Sequence, residues 1–158
     1  EGIWMPTSAL TLRAALGTLD ANYDSYDYAG RDIANVAQLL YAPELTWSIG
    51  AEHISQVFGG ELILTANYSF QDEVFTQTPW AIYDPATFPK ITIDDWESLD
   101  VSATYLRDTE NGTFKVILYG TDVLEDGNRV QRRYTTGSFT WAELAPRQQF
   151  GITIGYEF

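Results

Sequence analysis

The stretch QQFGITIGYEF (residues 148–158) decides the fold. Phe150, Ile152, Ile154, Tyr156 and Phe158 are large and apolar, with Gln149, Gly151, Thr153, Gly155 and Glu157 between them. Side chains alternate faces along a strand, so one face is wholly apolar and the other small or polar. A soluble protein rarely leaves such a strand at its chain end, because ends fray and an uncovered apolar edge invites aggregation.

Working outward, the same period of two recurs in five earlier runs, and helical periodicity is nearly absent. ALTLRAALGTLDANYDSY (9–26) sets Leu10, Leu12, Ala14 and Leu16 on one face. A one-residue slip near Gly17 then predicts a β-bulge, with Leu19, Ala21 and Tyr23 continuing the face. ELTWSIGAEHIS (44–55), ELILTANYSFQDEVF (61–75), SLDVSATYLRD (98–108) and TFKVILYGTD (113–122) alternate in the same way. QVFGG and TENG are short, glycine-bearing links suited to hairpins, whereas roughly 27–43, 76–97 and 125–146 are long connections. Short turns alternating with long loops, joined by strands of about 9–11 residues, predict antiparallel up-and-down strands of a transmembrane β-barrel. With short turns at the periplasmic end, Tyr105, Phe114, Tyr156 and Phe158 fall at that rim. Tyr23, Trp47, Tyr68, Phe70 and Phe150 fall at the outer rim, and aliphatic residues lie between. Two aromatic belts around an aliphatic band are what a lipid-facing surface requires.

Composition narrows the class. The 158 residues suit one domain, and the 15% aromatic content is not that of a disordered chain. A formal charge of −13 argues against a nucleic-acid partner, and the absence of cysteine excludes disulfides and thiolate metal sites. EGIWMPTSAL has neither the basic nor the apolar region of a signal peptide, and the chain begins with Glu1, so a processed protein or a piece of a longer one is expected.

APRQQFGITIGYEF resembles the closing strand of TonB-dependent outer-membrane receptors. APELTWSIGAEHI followed by GGELILTANYSFQDEVFTQ resembles an earlier hairpin of those barrels, LTLRAALGTLDANYDSY the strand before it, and FKVILYGTDVLED the penultimate strand. Where the family carries an Asn-Leu-Thr-Asp stretch, this chain reads Asp122, Val123, Leu124 and Glu125. The resemblance implies that residues 1–158 are the C-terminal segment of a barrel of about 22 strands, with six strands visible and the plug domain absent. It implies ligand-gated uptake of a scarce nutrient such as a ferric siderophore, not catalysis, with no cofactor and no metal site. The implied location is the bacterial outer membrane. The implied partners are outer-membrane lipid, the rest of the barrel and plug, the energy-coupling protein acting through the plug, and the assembly machinery. That machinery would read the terminal pattern Phe150, Ile152, Ile154, Tyr156 and Phe158.

Several residues invite sharper readings. Arg129, Arg132 and Arg133 form a basic cluster beside Tyr134 that could receive a carboxylated small-molecule ligand, or bridge acidic loops or lipid phosphates. Trp80, Tyr83 and Phe88, with Trp141, offer stacking surfaces or simple loop packing. Asp20, Asn22 and Asp24 imitate the start of a calcium loop, but Ser25 and Arg31 stand where glycine and a bidentate glutamate are needed; a lumen-facing polar row is favoured. Asp94 and Asp95 read as a solvated loop edge rather than an acid–base pair, and His53, the only histidine, as a lipid-side residue near the periplasmic interface. The NYS and NGT sequences at Asn67 and Asn111 carry no glycosylation meaning in a bacterial strand and turn. Two rival readings stand beside the receptor. One is a self-contained barrel of eight strands, drawing on FPKITIDDW and VQRRYTTGSFTW, with a structural or adhesive role. The other is a soluble acidic β-sandwich that binds carbohydrate, its apolar faces pressed into one shared core.

Overall fold

Alternating runs become strands, and in chain order these are β1 (Gly2–Thr7), β2 (Leu10–Thr18), β3 (Asp27–Tyr28), β4 (Arg31–Asp32), β5 (Leu45–Val57), β6 (Gly60–Gln71), β7 (Val74–Phe75), β8 (Thr92–Ile93), β9 (Trp96–Thr109), β10 (Gly112–Thr121), β11 (Val130–Thr135), β12 (Thr140–Leu144) and β13 (Gln149–Glu157). The structure, a computed structural model, describes residues 1–77, 91–124, 129–136 and 138–158. It is all-β, with no helix among the described residues.

Seven strands form one antiparallel meander in the order β1-β2-β5-β6-β9-β10-β13. This sheet is open: no pairing joins β1 to β13. Six of its strands are the six alternating runs. The seventh, β1, escapes a period-two reading because its register shifts between Trp4 and Thr7, which puts Ile3, Trp4 and Met5 out of clean alternation. The bulge expected near Gly17 is therefore misplaced. Gly17 pairs with Thr46 in an unbroken register, and a Cβ there would press on the Thr46 hydroxyl, so the glycine leaves room for that side chain. β2 stops at Thr18, and residues 19–26 are not strand. Asp20, Asn22 and Asp24 thus form no lumen-facing row; Asn22 donates to Asp20 within the first long connection. Tyr23 leaves the outer belt for the same reason and lies against Tyr26, ring centroids 4.9 Å apart.

Register assembles the apolar faces into one surface. Phe150, Ile152, Ile154 and Tyr156 lie opposite Gly120, Leu118, Val116 and Phe114. These continue across Val101, Ala103 and Tyr105, then Ala66, Leu64 and Leu62, then Ala51, His53 and Ser55. The other face carries Thr65 and Ser102, whose hydroxyls are 2.8 Å apart, with Glu61, Asn67, Asp100, Lys115 and Thr153. Among the described residues nothing covers the apolar face: Phe150, Ile152 and Ile154 are 70%, 61% and 66% exposed. The buried apolar residues, Ile33, Ala37, Val74, Ile91, Ile93 and Ala145, all lie in the long connections. The molecule is apolar where a soluble sheet would need a second layer, and its small core sits at one end.

Short turns close β1–β2, β5–β6 and β9–β10 at one end of the sheet, and the long connections gather at the other. The turns are staggered. The first ends at Leu10 opposite His53, four residues short of Val57 at the second turn. Leu106 pairs with Glu61, and β9 then runs on to Thr109, so the third turn lies two steps farther still. The long connections are not plain loops. They carry the ribbons β3–β4, β7–β8 and β11–β12, knitted by a parallel bridge from Leu40 to Phe75 and by contacts between β8 and β11. The strands in FPKITIDDW and VQRRYTTGSFTW pair within these ribbons and add nothing to the main sheet.

Candidate functional site

At the long-connection end, β10 delivers Asp122, whose φ of 53° lies in the left-handed region that Asp tolerates better than most residues. Its amide donates to Asp100 Oδ1 at 2.7 Å, and its Oδ2 accepts from Arg129 Nη2 at 2.7 Å. The Arg129 guanidinium carbon lies 4.6 Å from the Trp96 ring centroid. A mostly buried cation held between a carboxylate and an aromatic face gains charge-assisted hydrogen bonds and a cation–π term of about 1–2 kcal/mol. This anchor roots the β11–β12 hairpin, which is closed at its base where Ala145 N donates to the Arg129 carbonyl at 2.8 Å. Farther out, Thr135 N donates to Gln77 Oε1 at 2.6 Å and ties the hairpin to the second connection.

The hairpin register sorts the expected ligand residues. Arg132 lies opposite Glu143 and Tyr134 opposite Trp141, with Arg132 Nη1 3.6 Å from the Glu143 carboxylate. Tyr134 and Trp141 are both exposed, as is Phe139 just before β12. One face therefore presents a guanidinium and two rings to solvent. Arg133 pairs with Ala142 on the opposite, more sheltered face. The three arginines are thus not one cluster: alternation divides Arg132 from Arg133, and Arg129 belongs to the anchor. Trp80, Tyr83 and Phe88 lie outside the described residues.

A hollow of about 210 Å³ opens where the first and second connections meet, lined by Asp20, Glu44, Asp72 and Glu73 among others. Four carboxylates would repel an anion. Among the described residues no group of three or more His, Asp or Glu side chains is placed to hold a metal ion. Asp94 and Asp95 are exposed at the entry to β9, as a solvated edge would be. His53 stands on the apolar face, opposite Leu10 and Leu64 and one residue pair inward of the row that holds Tyr105. Asn67 lies within β6 and Asn111 in the third short turn. Phe150, Ile152, Ile154 and Tyr156 share the exposed face of β13. Phe158 follows the strand, its ring centroid 6.2 Å from that of Tyr156.

The anchor itself was not legible from sequence. Trp96, Asp100, Asp122 and Arg129 come together only through pairing, and none belongs to a spaced motif. Phe58, within QVFGG, likewise belongs to no spaced motif. It occupies a left-handed position (φ 51°) in the second short turn, beside Gly59 (φ 75°), and is 92% exposed. No family model, curated protein or solved structure matches this chain.

Proposed function

We propose that the chain is part of the wall and outer rim of a bacterial outer-membrane β-barrel of the TonB-dependent receptor type, serving ligand uptake rather than catalysis. The observation that carries this reading is the inverted burial. Among the described residues a seven-stranded meander leaves one apolar face uncovered, while the buried apolar side chains sit in the long connections. Hydrocarbon is the medium in which such a face needs no second layer. The apolar side of β5 runs from Trp47 to Val57, ten steps or about 33 Å along the strand. Tilted by about 40°, that spans roughly 25 Å of height, the thickness of the apolar band of outer-membrane barrels. The staggered turns support the tilt, because strands that close into a barrel must shear against one another. A sandwich finds no support in a main sheet that no second sheet faces among the described residues, nor an eight-stranded barrel in ribbons that pair with themselves.

Ligand capture falls to the β11–β12 face. Arg132 offers a fork for a carboxylate, and Tyr134 and Trp141 offer rings for the flat parts of a chelate. Lipid meets the apolar face. The remaining barrel, plug, energy-coupling protein and assembly machinery complete the transporter.

Extraction tests the reading. The protein stays in the membrane pellet through alkaline carbonate and leaves it only with detergent. Release by carbonate alone overturns the proposal.

A further inference from the structure

Of the five asparagines in the chain, Asn111 is the only one followed by glycine. Asn22, Asn35, Asn67 and Asn128 precede Tyr23, Val36, Tyr68 and Arg129, whose side chains crowd the next peptide nitrogen as glycine does not. The fold fixes this dipeptide. Thr109 pairs with Gly112, so Glu110 and Asn111 form the two-residue tip of the β9–β10 turn. Gly112 has a φ of 154°, and a Cβ there would collide with the Glu157 carbonyl and lie 3.0 Å from the Phe158 Cα, so only glycine fits. The Thr109 hydroxyl donates to the Gly112 carbonyl at 2.7 Å and lies 3.0 Å from the Tyr156 hydroxyl. Asn111 is exposed, and no hydrogen bond from a described residue holds its carboxamide. The asparagine side chain is therefore free to move, beside a glycine that the packing of β10 on β13 requires.

We propose that Asn111 is a self-modification site: in the folded protein it closes on Gly112 to a succinimide and opens to isoaspartate, which releases the last residues of β13 from β10. The Gly112 nitrogen gives its proton to hydroxide and attacks Asn111 Cγ. The N–Cγ bond forms, the Cγ–Nδ2 bond breaks, and Nδ2 leaves as ammonia with a proton from water. Water then adds to one of the two imide carbonyls. Opening at Cγ gives aspartate; opening at the backbone carbonyl gives isoaspartate, whose main chain runs through Cγ and is longer by one carbon. Nothing is oxidised or reduced. Either product adds a carboxylate to a rim that already holds Asp108, Glu110 and Glu157, which repel it. The longer main chain also shifts Gly112 against Glu157 and Phe158, where there is no room even for a methyl group. Glu110 and Asn111 are exposed at the turn, which meets water whether or not the sheet meets lipid, so this inference does not rest on the membrane reading.

Incubation of the full chain, folded in detergent, at mildly alkaline pH tests this, with peptides mapped by mass spectrometry and isoaspartate marked by enzymatic methylation. The mass gain of amide to acid is expected first in the peptide that holds Asn111, at a rate proportional to hydroxide, with isoaspartate exceeding aspartate. In the isoaspartate form, amide exchange over residues 153–157 rises at least about tenfold, while β5 and β6 stay protected. Asn111→Gln, whose larger ring closes far more slowly, keeps both its amide and its exchange pattern through the same incubation. A mass gain that comes first at another asparagine, or aspartate without isoaspartate, overturns the proposal. So does an Asn111 that survives in the folded chain and reacts only in urea. Unchanged protection of residues 153–157 in the isoaspartate form, or its loss in unreacted Asn111→Gln, overturns it as well.

Discussion

Phe58 sits where a two-residue hairpin turn usually places Asn or Gly, since the left-handed region crowds a Cβ against the backbone. Among the described residues nothing repays the strain through its ring, which is 92% exposed, although Tyr105 Oη donates to the Phe58 carbonyl at 3.1 Å. Phe58→Asn is therefore expected to stabilise the β5–β6 hairpin by about 1 kcal/mol, read as a raised urea midpoint in detergent micelles. Glycines play the opposite part. Gly151 leaves room for the Tyr119 ring, Gly60 for Tyr105 and Gly120 for Phe150, so aromatic side chains lie flat over cross-strand gaps. Gly151→Val would force the Tyr119 ring aside and is expected to cost roughly 1–3 kcal/mol in the same measurement. Both residue types were visible in the sequence. Their pairing was not, because Gly151 meets Tyr119 only through the register of β10 and β13.

Among the elements, the β11–β12 hairpin hangs on Arg129 and the Gln77 contact, while the sheet beside it is held by full ladders. Arg129→Met keeps length and removes the charge-assisted bond. It should raise amide exchange at Val130–Thr135 by tenfold or more and leave β9 and β10 protected, a split that hydrogen-exchange mass spectrometry resolves. Two carboxylates hold the β3–β4 ribbon: Asp27 Oδ1 accepts from Gly30 N at 3.1 Å in the turn, and Asp32 caps the base. Asp32 Oδ1 accepts from Tyr26 N at 3.0 Å and Ala34 N at 2.9 Å, and these bonds, Tyr26 first, hold its pKa below the ordinary 3.8. A depressed carboxyl contributes its stability fully above the unfolded-state pKa and loses it as pH falls through the folded-state value. Protection of the Tyr26 and Ala34 amides, with exchange corrected for the intrinsic rate at each pH, should thus hold above the ordinary 3.8 and fall as pH drops through the lowered value, and Asp32→Ala should abolish that dependence. Long strands were readable because alternation over nine or more residues is hard to mistake. Two-residue strands such as β3 and β7 carry no period at all, so the ribbons could not be foreseen.

For the whole molecule, the two faces of β13 make opposite demands on a charge. If hydrocarbon bathes the apolar face, Ile152→Arg should cost about 2–4 kcal/mol of folding stability in vesicles, whereas Thr153→Arg on the other face should be nearly neutral. A protein surrounded by water would show no such contrast, since Ile152 is already 61% exposed. Equal effects at the two positions would therefore speak for water. The amino-acid sequence alone determined the class of element, the apolar side of six strands and the alternation of short and long links. Each depends only on a period of two and on local turn chemistry. Tertiary structure decided the rest: the seventh strand behind its register shift, an apolar face that no described residue covers, the retreat of the core into the long connections, and the Asp122–Arg129–Trp96 anchor. Those depend on which strands pair and how far each slides along its neighbour, and that is settled by contacts between residues distant in the chain.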